Sequence, residues 1–115
     1  MKSGIIYEQG EILIVPFPFT DLSSVKHRPV LVLSKNNYNN KTEDLVTCGI
    51  TSHLKDESYS VLIDNKNLLN GKIPMTSRIK VDKLFTINKS VVKNKIAKVN
   101  EETFKKVKQE LFNLI

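Results

Sequence analysis

The side chains with the clearest chemical potential lie in one stretch, residues 10–34, which reads GEILIVPFPFTDLSSVKHRPVLVLS. It consists of two short apolar segments joined by a polar loop. The loop holds Thr20, Asp21, Lys26, His27 and Arg28. Cationic side chains of this kind can bind a phosphate group, and imidazoles can move protons. We therefore expect the apolar segments to be buried strands and the loop to overhang a functional site.

The histidines and the cysteine are further candidates for proton transfer or nucleophilic attack. The chain has two histidines, His27 and His53, and such a pair could supply a general base and a general acid near neutral pH. The alternative is that both are exposed loop residues without a part in proton transfer. The single cysteine, Cys48, lies within an apolar segment, which favours a buried structural thiol over a nucleophile.

Motifs for metals and organic cofactors are missing from the sequence. It has no cysteine and histidine spacing typical of zinc sites, no glycine-rich phosphate loop and no GxSxG segment. Its twelve carboxylates are scattered singly or in adjacent pairs. If the protein is an enzyme, we therefore expect it to need no metal and no cofactor.

Charge is distributed unevenly along the chain. Residues 65–115 carry 12 basic and 4 acidic side chains, a net charge of +8, whereas residues 1–64 carry 6 basic and 8 acidic ones, a net charge of −2. The resulting net charge of +6 is consistent with an anionic partner such as nucleic acid, which the second half would attract. The alternative is that the lysines serve only solubility.

Length and apolar patterning bound the class of protein. The 115 residues suit a single domain, 1–115. No apolar run approaches the roughly 20 residues of a membrane helix, and the N-terminus lacks the pattern of a secretory signal. A single cysteine suits a reducing compartment. We therefore expect a cytoplasmic protein with no membrane partner.

Short β-branched segments separated by turn residues predict most of the secondary structure. Pro16 and Pro18 are expected to end the first strand because proline donates no hydrogen bond. Gly49 is expected to mark a bulge or a close approach of another segment. The predicted strands are Glu11–Val15, Val30–Ser34, Leu45–Thr51, Tyr59–Ile63, Lys72–Val81, Lys83–Ile87 and Lys95–Val99.

The segments between these strands are predicted to be loops or single helical turns. Thr20–Lys26, the asparagine-rich Lys35–Asp44 and Ser52–Ser58 are expected to be polar loops, the second of them mobile. Asp64–Gly71 and Asn88–Lys93 are each expected to hold one helical turn.

One amphipathic helix is predicted at the C-terminus. Asn100 is a favourable N-cap, and Glu101 and Glu102 follow in the first turn, where carboxylates suit the helix dipole. One face carries the apolar residues Phe104, Val107, Leu111 and Leu114. The whole pattern predicts a mainly β fold, a small barrel across which this helix packs.

Three segments carry a resemblance to a known family. The stretch GEILIVPFPFTDLSSVKHRPVLVLS resembles the opening of MazF/PemK-type toxins of bacterial type II toxin–antitoxin systems. CGITS at Cys48–Ser52 is similar to the family's third-strand segment, and DKLFTINKS at Asp82–Ser90 to a later family motif. The terminal helix also stands where the family has one, so the resemblance covers nearly the whole chain.

The resemblance implies a fold, an activity and partners. The fold is an SH3-like β-barrel of the MazF/PemK/CcdB type with about six strands, working as a homodimer. The activity is that of an mRNA interferase, a sequence-specific and metal-independent endoribonuclease acting on single-stranded RNA. The partner is a cognate antitoxin whose disordered C-terminal segment lies over the RNA site and which forms a DNA-binding complex with the toxin.

The resemblance also implies roles for individual residues. Arg28, in the Arg-Pro step, and Thr51, at the end of the third-strand segment, correspond to the residues that carry the chemistry in the family. Arg28 would hold the charge of the phosphorane, and Thr51 would donate to a phosphate oxygen or position the 2′-OH. The expected RNA contacts are Thr20, Asp21, Lys26, His27, Lys35, Ser52, His53, Arg78 and Lys83.

Two positions depart from the family pattern. Phe85 stands where many members have an arginine, and Asn88 replaces an aspartate. These departures keep a second reading open, in which the chain is a non-catalytic member of the fold. It would then be an RNA-binding or regulatory relative, or a gyrase-binding poison like CcdB. Proteins like CcdB rely on a tryptophan near the C-terminus. This chain contains no tryptophan and ends with Asn113, Leu114 and Ile115, which counts against the CcdB-like alternative.

Overall fold

The structure is a computed structural model, and it describes residues 4–18 and 25–115. Within these ranges the regular secondary structure is mainly strand, with a short helix after the second strand and a longer one at the C-terminus. Two 3₁₀ turns, Asn65–Asn67 and Lys89–Val91, join strands. The strands and helices in chain order are β1 Glu11–Pro18, β2 Val25–Val32, α1 Asn36–Lys41, β3 Asp44–Thr51, β4 Ser60–Ile63, β5 Leu68–Gly71, β6 Ser77–Asn88, β7 Asn94–Val99 and α2 Glu101–Leu114.

The described strands form one curled antiparallel sheet in the order β4-β6-β3-β2-β1-β7-β5. Strands β2 and β1 lie near its middle, and the apolar residues 12–13 of β1 and 30–32 of β2 are fully buried, as expected for strands covered on both faces. This arrangement confirms the predicted mainly β fold with a terminal amphipathic helix. No helix among the described residues is long and apolar enough to span a membrane.

Helix α2 covers one face of the sheet. Val107 is fully buried, and Phe104 and Leu111 pack with it against the larger apolar cluster. The helix begins as predicted, because Oδ1 of Asn100 accepts a hydrogen bond of 2.9 Å from the Thr103 N–H. The sheet residues of the cluster are Ile12, Leu31, Cys48, Ile50, Val61, Ile63, Ile79, Val81, Ala97 and Val99, with Ile73 from the β5–β6 connection.

Strand β1 continues through both prolines, so the prediction that they end it was wrong. The Ile14 carbonyl accepts a hydrogen bond from the Lys93 N–H on the β7 side of β1. Alternation along the strand places the nitrogens of Pro16 and Pro18 on that same side. Pairing with β7 has already stopped there, at Ile14 and Asn94. The N–H groups that the prolines lack would have no partner strand at this open edge, so no interstrand hydrogen bond is lost.

Strand β2 begins at Val25, earlier than expected, and it ends at Val32 rather than Ser34. Lys26, His27 and Arg28 therefore lie on a strand and not in a loop, because their backbone pairs with the extended end of β1. Most of the predicted loop Thr20–Lys26 lies outside the described residues.

The asparagine-rich segment after β2 is helical over α1, in place of the predicted mobile loop. Its Asn39 is 1% exposed. The Asn39 side chain donates hydrogen bonds to the carbonyls of Tyr7 and Ser34, and it accepts one from the Ser34 hydroxyl. This buried amide anchors α1 to the sheet.

Strand β6 runs unbroken where two strands were predicted. Its pairing with β3 shifts between Cys48 and Gly49, whose partners are Leu84 and Lys80, so residues 81–83 form a bulge. The pairing is therefore irregular at Gly49 as expected, but the extra residues belong to β6 and not to β3. The strand begins only at Ser77, later than predicted, and the last residues of the predicted turn Asp64–Gly71 form β5.

Gly71 is the glycine with the least room for a side chain. Its φ is +79°, and an added Cβ would lie 2.2 Å from the Ile96 oxygen and 2.5 Å from the Ala97 Cα. We expect Gly71→Ala to lower the free energy of unfolding by about 3 kcal/mol or more, measured by urea denaturation, because backbone of β7 must move.

Gly4 provides the matched control. It has the same φ of +79°, but an added Cβ would meet nothing within 4 Å. Gly4→Ala should therefore lose about 1 kcal/mol, the conformational part alone. Equal losses in the two variants would contradict the close approach of β5 and β7.

Candidate active site

The end of the β2–β3 pair brings together the two residues expected to do the chemistry. The last paired residues are Val30 and Gly49. Two positions beyond them the strands carry Arg28 and Thr51, and a step of two along a strand returns to the same face. The sheet therefore places the guanidinium and the hydroxyl at one end of two neighbouring strands.

Two grooves meet at this end of the sheet. Arg28, Pro29, Ile50 and Thr51 line both of them. The first groove has a volume of about 590 Å³, and the second has a volume of about 340 Å³. Arg28 and Thr51 thus stand on the boundary between two depressions, where a strand of substrate could pass from one to the other.

The first groove combines an apolar lining with a polar rim. Its apolar residues come from β1, β3, β7 and the segment before β6, and they include Ile14, Ile73 and Met75. Its polar residues, besides Arg28 and Thr51, are Lys26, His27, Ser52 and Ser77. Three predicted substrate contacts, Lys26, His27 and Ser52, therefore share this groove.

The second groove is lined more heavily by charged residues. His53 and Lys83, two further predicted contacts, lie here together with Asp56, Lys80 and Phe85. Gly49 is part of its wall, and an added Cβ there would lie 3.5 Å from Phe85 Cε2 and from Lys83 Cβ.

The Thr51 hydroxyl is oriented by the loop that follows it. Its oxygen accepts a hydrogen bond of 3.0 Å from the His53 N–H. A hydroxyl that accepts through its oxygen still has its proton to donate. Thr51 can therefore donate to a phosphate oxygen, which is the role that the family resemblance implies for it.

Lys80 is a buried cation that sequence reasoning did not single out. Its side chain is 4% exposed, and Nζ lies 2.9 Å from Asp56 Oδ1 and 3.5 Å from Asp82 Oδ1. Nζ also donates to the Ser58 carbonyl. The hydrogen bond from Lys80 outweighs the opposing effect of desolvation and, with the attraction of nearby cationic groups, holds the pKa of Asp56 below its usual value.

No feature of the sequence predicts the burial of Lys80. Lys80 occupies a position in SRIKVDK where alternation with Ile79 and Val81 predicts a solvated side chain. The loop between β3 and β4 covers it in the structure, so only the tertiary fold reveals the ion pair.

Other predicted contacts lie elsewhere. Arg78 lines neither groove: Nε donates to the Leu54 carbonyl at 2.6 Å, Nη1 donates to Ser60 Oγ at 3.2 Å, and Nη2 is 3.8 Å from a carboxylate oxygen of Glu57. Lys35 is exposed just before α1 and also lines neither groove. Thr20 and Asp21 lie outside the described residues. Their roles in RNA binding stay predictions.

The two departures from the family pattern have different surroundings. Phe85 lines the second groove, so it stands beside the candidate chemistry. Asn88 ends β6, and its side chain accepts a hydrogen bond of 2.8 Å from the Ser90 N–H, capping the turn Lys89–Val91. Asn88 therefore serves local structure, because asparagine is well suited to this cap.

Cys48 is fully buried, which confirms its expected structural character. Desolvation, with a smaller contribution from Asp82, raises the pKa of its thiol to about 12. A thiol in this state is a poor nucleophile. Among the described side chains, no three histidine, cysteine, aspartate or glutamate residues are grouped so as to hold a metal ion.

Solved structures with the same fold are toxins, some with their antitoxins. An endoribonuclease from a mycobacterial species, solved with its cognate antitoxin, has a TM-score of 0.77 and 19% identity over 93% of this chain and 92% of its own. Toxin MazF-mt6 of Mycobacterium tuberculosis has a TM-score of 0.71 and 20% identity over 90% and 93%. The MazE–MazF complex of Deinococcus radiodurans gives 0.79 and 19% over 96% of both chains. These similarities confirm the predicted MazF-type fold.

Sequence comparison identifies the family. A search among curated proteins found no significant match. The family model for the PemK-like, MazF-like toxin of type II toxin–antitoxin systems matches residues 8–115. Since this match spans nearly the whole chain, the protein belongs to the PemK-like, MazF-like family of type II toxins.

Proposed function

We propose that this toxin is an endoribonuclease that cuts single-stranded RNA at particular sequences, as an mRNA interferase, without a metal ion or cofactor. The observation that carries the proposal is the convergence of Arg28 and Thr51 on the boundary between the two grooves. A cation and a hydroxyl donor at one point, flanked by space on both sides, suit a phosphate within a longer strand.

The proposed reaction is internal transesterification. The 2′-oxygen loses its proton and attacks the adjacent phosphorus, the bond from phosphorus to the 5′-oxygen breaks, and the departing oxygen takes up a proton. Negative charge accumulates on the phosphorane oxygens, where the planar guanidinium of Arg28 can donate two hydrogen bonds. The Thr51 hydroxyl donates to the same group or positions the 2′-OH.

The two grooves would hold the nucleotides on either side of the cut. Lys26 and His27 are exposed on the first groove, and His53 and Lys83 on the second. These cationic or polar groups suit contacts with the RNA backbone, while Ser52 adds a hydroxyl to the first groove. The uneven charge of the sequence supports an anionic substrate.

We further infer the biological setting from the family. The chain 1–115 would be a single toxin domain that works as a cytoplasmic homodimer. A cognate antitoxin would cover the RNA site, and the complex of the two would bind DNA. The solved MazE–MazF and endoribonuclease–antitoxin complexes support the antitoxin as partner.

A non-catalytic relative is the second candidate. The observation that favours it is Phe85 on the second groove, because a phenyl ring cannot supply the charge of the arginine found in many relatives. Such a protein would bind RNA in the grooves without cutting it. A CcdB-like poison would instead bind gyrase.

Cleavage of RNA decides between these candidates. We expect purified protein to cut a long single-stranded RNA with EDTA present. Arg28→Ala should cut about 10²–10³ times more slowly, because it loses the group that stabilises the phosphorane. Thr51→Val should also slow cleavage while keeping a β-branched residue at the strand end. The measurement is the initial rate by gel electrophoresis.

The control is Lys108→Ala, which removes one exposed positive charge from α2 and leaves both grooves unchanged. It should cut at the wild-type rate. If wild-type protein binds RNA but cuts none of a varied set, the non-catalytic candidate is supported. Binding to gyrase without any effect on RNA would support the CcdB-like alternative.

The two histidines line different grooves, which argues for substrate binding by each rather than joint proton transfer. We expect His27→Gln and His53→Gln to raise KM several-fold and to leave the shape of the pH–rate profile unchanged, since glutamine keeps a polar group but does not titrate. Loss of one limb of the profile in either variant would instead assign general acid–base catalysis to that histidine.

The proposed homodimer has a direct test. Sedimentation velocity at micromolar concentration should give a mass twice the 13.1 kDa of the chain. A monomer that still cuts RNA at the wild-type rate would contradict dimerisation as a requirement for activity.

A further inference from the structure

Asp56 is an unexpected charge for a groove that binds RNA. Its carboxylate is on the second groove with Arg28, Thr51 and Lys83. A carboxylate repels phosphate, so Asp56 is unsuited to the RNA backbone. It is suited to N–H donors, and in single-stranded RNA these are the exposed edges of the bases.

The loop that carries Asp56 is held firmly onto β6. Arg78 Nε donates to the Leu54 carbonyl at 2.6 Å, Lys80 Nζ donates to the Ser58 carbonyl, and the Val81 N–H donates to the Tyr59 carbonyl at 2.9 Å. Three successive contacts from one strand therefore fix the loop at the edge of the second groove.

Lys80 also determines which part of Asp56 stays available. Its ammonium group occupies Oδ1 at 2.9 Å. In the part of the chain that the structure describes, no side chain or backbone group donates to Oδ2, and the Asp56 side chain is 50% exposed. The carboxylate, which lines the second groove, thus has one oxygen anchored by Lys80 and one that accepts no hydrogen bond from the described residues.

We propose that Asp56 selects one nucleobase of the substrate by accepting a hydrogen bond from its amino group, and that Lys80 is the positioning residue that holds Asp56 for this purpose. This inference rests on the proposed function and names a specificity determinant for it. Cytosine, adenine and guanine carry an exocyclic amino group, whereas uracil presents carbonyl oxygens that flank a single N–H. The subsite therefore disfavours uracil.

The location of the subsite limits which base it reads. The second groove has a volume of about 340 Å³, which is in the range of small-ligand sites of about 300–1,000 Å³. Because Arg28 and Thr51 line the same groove, the base belongs to a nucleotide next to the scissile phosphate. The selection is then visible in the sequences at which RNA is cut.

The test is to map the cut sites of wild-type protein and of Asp56→Asn by sequencing the new 5′ ends in a mixed RNA pool. Wild-type cut sites should disfavour uracil at one position beside the cut by about tenfold to a hundredfold. Asp56→Asn should accept uracil there, because its amide can donate to the uracil oxygen, and keep every other preference. Wild-type sites that tolerate uracil at all positions near the cut, or an unchanged preference in Asp56→Asn, would overturn the proposal.

Two further variants distinguish a loss of base selection from a general loss of activity. Glu57→Gln removes a carboxylate from the next residue of the same loop, one that is 75% exposed and lines neither groove, and it should leave all preferences unchanged. Lys80→Met keeps the side-chain length without the charge and should relax the same position as Asp56→Asn. Uniformly slower cutting by Lys80→Met, with the preference intact, would remove Lys80 from the proposal.

A binding measurement keeps the inference testable if the protein cuts no RNA. Fluorescence anisotropy would compare oligouridine with oligonucleotides that carry one adenine, cytosine or guanine within uridine. Wild-type protein should bind at least one of these about tenfold more tightly than oligouridine, and Asp56→Asn should lose that difference. No cutting together with this difference would reject the proposed activity alone, and no difference would reject the role of Asp56.

Discussion

The bulge between β3 and β6 is the constraint on which the candidate site depends. The pairing partners of the adjacent residues Cys48 and Gly49 are Leu84 and Lys80, so β6 has three more residues than β3 requires. The segment before the bulge pairs with the end of β3 that bears Thr51 and, on its other edge, with β4. The bulge therefore brings Lys80 and Lys83 to the second groove beside the end of the β2–β3 pair.

The burial of the Lys80 ammonium group in this arrangement costs free energy. Removing an ammonium group from water is expensive, and a buried ion pair recovers that cost only with good geometry and further hydrogen bonds. Lys80 has two carboxylates and a backbone carbonyl within reach. A well-packed apolar residue would often be as stable in such a position. The ion pair is thus better understood as fixing the position of the loop than as adding stability.

The sequence predicted the features that depend on short-range pattern. Buried strands, the irregular pairing at Gly49 and the start of α2 at Asn100 follow from β-branched runs, a glycine in a strand and a favourable N-cap. The prediction that the prolines of β1 end the strand was wrong because the effect of proline depends on whether its nitrogen faces a paired strand. That is a property of the whole sheet. The family resemblance supplied Arg28 and Thr51, and the β2–β3 register brings them to one end of the sheet.

The features that escaped prediction depend on long-range burial. A lysine between two apolar residues of a strand looks solvated until a loop covers it, as happens to Lys80. An asparagine-rich segment looks mobile until one amide is buried, as happens to Asn39. In both cases a polar side chain becomes structural because distant backbone carbonyls accept its hydrogen bonds, and no local spacing records that.

The basic second half of the chain would act on an RNA in two ways, because some of its lysines lie at the grooves and others lie far from them. Lys80 belongs to that half, but it pairs with Asp56 and Asp82. Lys83 also lines the second groove, and its positive charge helps to hold the pKa of Asp56 below its usual value. The lysines of α2 line neither groove and are exposed. Their field acts at a distance and is screened by salt, so it would raise the rate of encounter with any RNA. The charged residues that line the second groove are three cations and one carboxylate. They would act on a bound nucleotide at contact, where hydrogen-bond geometry would distinguish one base from another. Under the proposed function, attraction and selection would therefore depend on different parts of the chain.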